Sequence, residues 1–268
     1  MNQIRRVILA LDVAARDAQS IAAAVELAAR LGAEVQGLFL EDPRLLRWAR
    51  LPVARQVSPW GGGVDPARLE AQLQALAAQA QAELEQAARR LGVAWQAQVL
   101  RGELERALNE WAAQEDLWVI GTAGRVMGLA VPTPAALRLA LPQGARWVLL
   151  QPRGAPFRHP MVVLHPQAHN PEALLEAAWA FMENPSQPLT VVVLGENSLA
   201  STLQAWQVRR GALVQPVHLR EVSLEQLLRV FTRTGCDGLV VGASLPLLAG
   251  EGLERLLARL PAPLLVVR

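Results

Sequence analysis

Short apolar runs alternate along this chain with longer stretches in which apolar residues recur at helical spacing. Arg6 to Asp12 (RVILALD) is a β-branched and leucine-rich run that stops at a polar residue, the signature of a strand buried on both faces. Asp17 to Leu31 places alanine and leucine at helical spacing, and Gly32 supplies the stop. Glu34 to Leu40 reads as the next strand. After an irregular stretch from Glu41 to Val64, Asp65 as cap and Pro66 as first helical residue open a long helix. Its apolar stripe is expected along Leu69, Leu73, Leu76, Ala80, Leu84, Ala87 and Leu91. Val93 to Leu100 is a third strand, Glu103 to Ala113 a helix, Asp116 to Gly121 a fourth strand, Pro134 to Leu141 a helix, and Ala145 to Gln151 a closing strand.

The same order then repeats. Strands are predicted over Met161 to His165, Leu189 to Leu194, Leu213 to Leu219, Asp237 to Gly242 and Leu264 to Arg268. Helices fall between them over Pro171 to Phe181, Ser198 to Arg210, Leu224 to Thr232 and Gly252 to Leu260. The fourth strands of the two halves are near copies, Asp116-Leu-Trp-Val-Ile-Gly-Thr and Asp237-Gly-Leu-Val-Val-Gly-Ala. Strict strand-helix alternation implies parallel sheets with helices on both faces. The predicted fold class is therefore α/β, as two tandem open, doubly wound domains of five strands each. Their expected bounds are 1–153 and 161–268, with Gly154-Ala-Pro-Phe-Arg-His-Pro160 as linker and the second domain reduced.

Composition narrows the chemistry. With 268 residues and 52% apolar content the chain can bury two cores of about 130 residues each. No apolar run reaches the ~18 residues of a membrane span, and the opening Arg5-Arg6 and Val7 to Leu11 are cut by Asp12 too early for a signal-peptide core, so a cytoplasmic protein is expected. All 26 basic residues are arginine, and tyrosine is also absent. With so little to titrate, a net charge of +2 suffices for a pI of 9.8, which makes the basic pI a poor sign of nucleic-acid binding. Without lysine there is no phosphate-loop lysine and no Schiff-base amine, so an enzyme is not expected. Cys236, just before a buried strand, reads as an inert core thiol.

In open α/β sheets ligands bind beyond the carboxyl ends of the strands, where the strand order reverses. There the first half carries Asp12 and the turn Gly121-Thr122-Ala123-Gly124. A carboxylate beside a glycine-rich turn can accept from a base or sugar while bare backbone N–H groups approach phosphate. The alternative is that Asp12 caps a turn which the glycines merely permit. Two further features lie nearby. Arg44, Arg47, Arg50 and Arg55 interleave with apolar residues in the 41–64 insertion, which is either a lid whose arginines meet an anion or a short amphipathic helix packed on the domain. His159, His165 and His169 cluster around the first strand of the second half, but their spacing fits polar loop residues better than a zinc site.

A first strand ending in aspartate, an Asp-apolar-Gly fourth strand and a closing strand of the LLVVR kind resemble the universal stress protein family, here as two fused copies across essentially the whole chain. The resemblance implies a regulatory, stress-response protein. In ATP-binding members the pattern is Gly-x2-Gly-x9-Gly-(Ser/Thr), with the first-strand aspartate near the adenosine. Asp12, Gly121 and Gly124 match it. The closing pair falls on Pro134-Ala135, or on Thr133-Pro134 if the loop is one residue shorter, and neither register supplies the glycine. Thr133 remains an N-cap ahead of Pro134. In the second half Pro166 stands where Asp12 stands, and Gly242-Ala-Ser-Leu245 has lost the second glycine. The resemblance thus implies at most one altered site, for ATP or another anionic small molecule, at Asp12, Gly121, Thr122, Gly124 and Thr133, with Arg44 and Arg47 on a lid. The other reading is an interaction module with both sites degenerate. Pairing of the two closing strands would make the chain an internal pseudo-dimer. A further homodimer and an unidentified protein partner are the remaining expectations.

Overall fold

The computed structural model describes residues 4–12, 18–41, 47, 55–56, 62–63, 65–101, 116–121, 125–126, 129–130, 146–152, 155–195, 199–220 and 223–268. Ten strands form one sheet: β1 (Arg6–Asp12), β2 (Glu34–Glu41), β3 (Trp95–Arg101), β4 (Asp116–Gly121), β5 (Trp147–Gln151), β6 (Pro160–Leu164), β7 (Leu189–Leu194), β8 (Val214–Leu219), β9 (Gly238–Gly242) and β10 (Leu264–Val267). Six described α-helices pack on it: α1 (Ala18–Leu31), α2 (Pro66–Leu91), α3 (Pro171–Phe181), α4 (Ala200–Arg210), α5 (Leu224–Thr234) and α6 (Gly252–Arg259). The helices expected over 103–113 and 134–141 lie outside the described residues. Among those described, no helix is long and apolar enough to cross a membrane.

The sheet order is β8-β7-β6-β9-β10-β5-β4-β1-β2-β3. Every neighbouring pair is parallel except β10 and β5, which run antiparallel with Val266 opposite Val148 and Leu264 opposite Leu150. The two sheets anticipated from the repeat are therefore joined edge to edge. Each closing strand would otherwise leave a row of unpaired N–H and C=O groups on an apolar edge, and pairing them satisfies both rows at once. All four β10 residues and all five of β5 are buried. The remaining edges are β3 and β8. The second is half-exposed along its length and carries Pro216, which has no N–H to offer a further strand.

Two cores run along the sheet. One face packs Val7, Leu9 and Leu11 of β1 and Val191 and Val193 of β7 under α1 to α4. The other packs Ile8, Ala10, Trp118 and Val148, continuing beneath α5 and α6 through Leu227, Phe231 and Leu256. Strands buried on both sides read as unbroken apolar runs, which is why their limits were visible in the sequence.

Helix ends follow local chemistry. The Asp65 carboxylate accepts from the Ala67 N–H at 3.0 Å, Pro66 fills the first helical position, and Gly92 closes α2 with φ 66°. The expected stripe on α2 is only partly right. Leu73, Ala80, Leu84 and Ala87 are buried, but so are Ala77 and Ala88, whereas Leu91 is 43% exposed. Alanine faces let α2 approach closely, and Gly37 on β2 completes the fit, since a Cβ there would stand 2.6 Å from Leu84 Cδ2. Gly238 plays the same part under Phe157, whose ring would meet a Cβ at 1.9 Å.

The acidic residue that opens each fourth strand ties it to the first strand of its half. Asp116, 2% exposed, accepts from Arg6 through Nε at 3.1 Å and Nη2 at 2.6 Å, while Arg6 Nη1 donates to Gln36 Oε1 at 3.0 Å. Asp237 instead accepts the backbone N–H groups of Arg158 and His159, at 3.0 and 2.7 Å. The same position is thus filled by an ion pair in one half and by a backbone cap in the other. A second set of bonds crosses the halves. Arg30, near the end of α1, donates to the carbonyl oxygens of Phe157 at 2.9 Å and Phe181 at 2.5 Å, and Arg158 bridges Glu26 and Glu183 at 2.5 and 3.6 Å. Burial pushes the Arg30 guanidinium below its ordinary value, against the pull of Glu183 and Glu26.

Three outcomes are expected. Val266→Asp buries an unpaired carboxylate at a fully buried seam position and should cost upwards of ~4 kcal/mol, read as a collapse of the thermal transition. Val208→Asp, at a position 80% exposed, should stay within about 0.5 kcal/mol of the parent. Asp116→Ala leaves the Arg6 guanidinium without its carboxylate and should lower stability by about 2–3 kcal/mol in urea titration.

Candidate functional site

In each half the first strand lies between the second and the fourth, so the chain crosses from one side of the sheet to the other at β1/β4 and again at β6/β9. The carboxyl ends of these pairs are the crevices available to a ligand. In the first half the register sets Ala10 beside Ile120 and Asp12 beside Leu40. Leu11 therefore stands level with Gly121, where a Cβ would meet Leu11 Cδ2 at 3.4 Å, and Asp12 ends β1 one residue further on. The backbone thus brings two of the candidate residues, Asp12 and Gly121, to one point on the sheet edge. Thr122, Gly124, Thr133 and Arg44 lie outside the described residues, and Arg47 is exposed. Just beyond the glycine turn, Arg125–Val126 and Leu129–Ala130 pair as a short antiparallel ribbon. In the 41–64 insertion Arg55–Gln56 pairs with Gly62–Gly63 in another.

At the corresponding crevice of the second half the residues that follow β9 are all described. The Ala243 N–H donates to the Val267 carbonyl at 2.8 Å, and the Leu245 N–H to the Gly242 carbonyl at 3.0 Å. Leu245 is 3% exposed and leads into a short 3₁₀ turn over Pro246–Leu248. The Ala243 and Leu245 N–H groups are thus taken up within the fold, and the side chain in place of the second glycine is sunk in the core. The register corrects the expected equivalence of Pro166 with Asp12: Val163 stands beside Val241 as Ala10 stands beside Ile120, so His165 holds the position of Asp12. Pro166, the next residue, leans on Gly195, whose φ of 78° admits glycine readily. A Cβ at Gly195 would lie 3.1 Å from Pro166 Cγ.

A cavity of about 480 Å³ nevertheless remains at this crevice, lined by His165, Pro166, Leu194, Gly195, Arg220 and Leu247. Arg220, just beyond the end of β8, went unnoticed in the sequence because nothing distinguishes it there from other loop arginines. The three histidines do not converge, since His159 precedes β6 and His165 follows it. His165 Nδ1 accepts from the Gln167 N–H at 3.2 Å, and the His159 N–H caps Asp237. Cys236 is buried, with its thiol pushed up by burial, and Thr234 Oγ1 lies 3.3 Å from Sγ.

No family model matches the chain, and no curated protein matches it in sequence. Solved structures do. A universal stress protein from Archaeoglobus fulgidus DSM 4304 superposes with a TM-score of 0.68 at 13% identity, covering 100% of this chain and 97% of that one. A functionally unknown protein from Pseudomonas aeruginosa PAO1 gives 0.55 at 13% identity, over 99% and 93%. The chain therefore has the fold of a universal stress protein structure along its whole length, as the resemblance in sequence implied.

A buried thiol held in its protonated form reacts slowly, so Cys236 should resist a thiol-reactive dye at pH 8 in the native protein and label at once in denaturant.

Proposed function

We propose that this chain is a two-part regulatory protein of the universal stress type, a stress-response binding protein rather than an enzyme. Its first half, residues 1–153, holds the single altered site for an adenine nucleotide or another small anion. Residues 154–160 are the linker, and 161–268 are a second five-strand unit kept for structure. The observation that carries this reading is the inequality of the two crevices. Asp12 and Gly121 meet at the first, whereas at the second His165 stands in the place of Asp12 and the N–H groups of Ala243 and Leu245 are already bonded. At the first site Asp12 would accept from the base or sugar. The turn from Gly121 through Thr122 to Gly124, with Thr133 capping the next helix, would take the charged end, and Arg44 and Arg47 would close over it. Pro134 withholds one N–H from that helix start, which weakens a triphosphate more than a smaller anion. The protein is read as cytoplasmic, an internal pseudo-dimer with scope for a further homodimer.

A second reading is a scaffold with both sites degenerate, and the joined sheet favours it, because burying the β5/β10 seam is useful whether or not a ligand binds. Heating purified protein and identifying released small molecules separates the two. Nucleotide or another anion should be released, ATP with magnesium at millimolar level should raise the melting temperature, and Asp12→Ala should abolish both. An empty protein, indifferent to ATP and to Asp12→Ala, supports the scaffold.

A further inference from the structure

Where the last turn of α1, the first residues of β5 and one face of α3 meet, the two halves enclose a cleft of about 430 Å³. It sits at the amino ends of β1 and β5, the opposite end of the first-half strands from Asp12 and Gly121. Its volume lies in the ~300–1,000 Å³ range of small-molecule sites. Much of the lining is apolar, with Ile4, Trp147, Ala177 and Phe181 all under 9% exposed.

The charged groups around it divide unequally. On the α3 wall, Glu172 pairs with Arg209 at 3.0 Å, and Glu176 pairs with Arg210 while accepting from Trp206 Nε1 at 2.8 Å. Burial alone would raise the Glu176 carboxyl, but the bonds from Arg210 and Trp206 outweigh it and hold the group below the usual carboxylate range. Both carboxylates are thus neutralised from α4, outside the cleft. On the opposite wall Arg146 lies 4.9 Å over the Trp147 ring, and Arg30 gives two donors to backbone carbonyls. Neither arginine meets a carboxylate within ion-pair distance among the described residues. The cleft is left with an apolar lining and, at its rim, an Arg146 guanidinium with no carboxylate partner among the described residues.

From this geometry we propose that the cleft binds a small amphipathic carboxylate, its head held by the Arg146 guanidinium with Arg30 behind it and its body lying on Trp147 and Phe181. One carboxylate suits the site better than a phosphate, because Arg146 offers one planar fork and the lining is largely hydrocarbon. The occupant touches both halves, so binding adds stability to the seam between them.

Decanoate and 1-naphthoate, titrated calorimetrically into the full chain, are suitable probes. Each should bind once per chain with Kd below about 1 mM and raise the melting temperature, and 1-naphthamide should bind about tenfold more weakly for want of the charge. Arg146→Gln should weaken the acids about tenfold and leave the amide unchanged, with Arg146→Lys intermediate. Ala177→Leu, which fills the cleft, should abolish both acid and amide while the circular dichroism stays native. Failure of both acids to bind overturns the proposal, as does binding that Arg146→Gln and Ala177→Leu leave untouched.

Discussion

The rest of this structure depends on a need shared by two strands. In each half of the ten-stranded sheet the strand beyond the Asp-apolar-Gly strand is the closing one, and an apolar closing strand with open hydrogen-bonding groups must find a partner or be shielded. Here β5 and β10 meet that need for each other, Trp147 opposite Val267 and Leu150 opposite Leu264. Because both are buried on both faces, the pairing also merges the two core layers across the seam. The antiparallel sense places the amino end of one half beside the carboxyl end of the other. Across the same seam Arg30, at the end of a first-half helix, reaches carbonyls before β6 and after α3, and a cleft opens between α1 and α3.

Duplication preserved the framework and let the crevices diverge. Asp116 and Asp237 both anchor a fourth strand to a first strand, yet one does so through Arg6 and the other through backbone N–H groups. This explains how the Asp-apolar-Gly phrase survives in both copies while the residues after the glycine do not: the aspartate serves the amino end of the strand, away from the crevice at its carboxyl end. In the second half the residues past Gly242 became part of the core, with Leu245 buried and its N–H bonded.

Much of the fold was legible because buried parallel strands and capped helices write their limits locally. RVILALD, the Asp65-Pro66 start of α2 and the Gly32 stop each fall within a residue or so of the observed bounds. Leu91 was misassigned because helical periodicity ignores that the last turn, ahead of the Gly92 cap, leaves the sheet for solvent. The meeting of Asp12 and Gly121 could be anticipated from the strand order of an open sheet. Arg30 could not, since an arginine in the last turn of a helix reads as a complement to the helix dipole and only the assembled halves reveal its carbonyl partners. Arg146 and Glu176 are likewise far apart in sequence and share a cleft only because the seam runs antiparallel.

The position of the seam also bears on how the molecule is made. In chain order β10 is the last strand of the sheet, so β5 leaves the ribosome well before its partner exists. Until that partner is made, Trp147 to Leu150 have no β10 residues to pair with. An unpaired apolar strand of this kind is the general setting for strand exchange between copies and for chaperone contact.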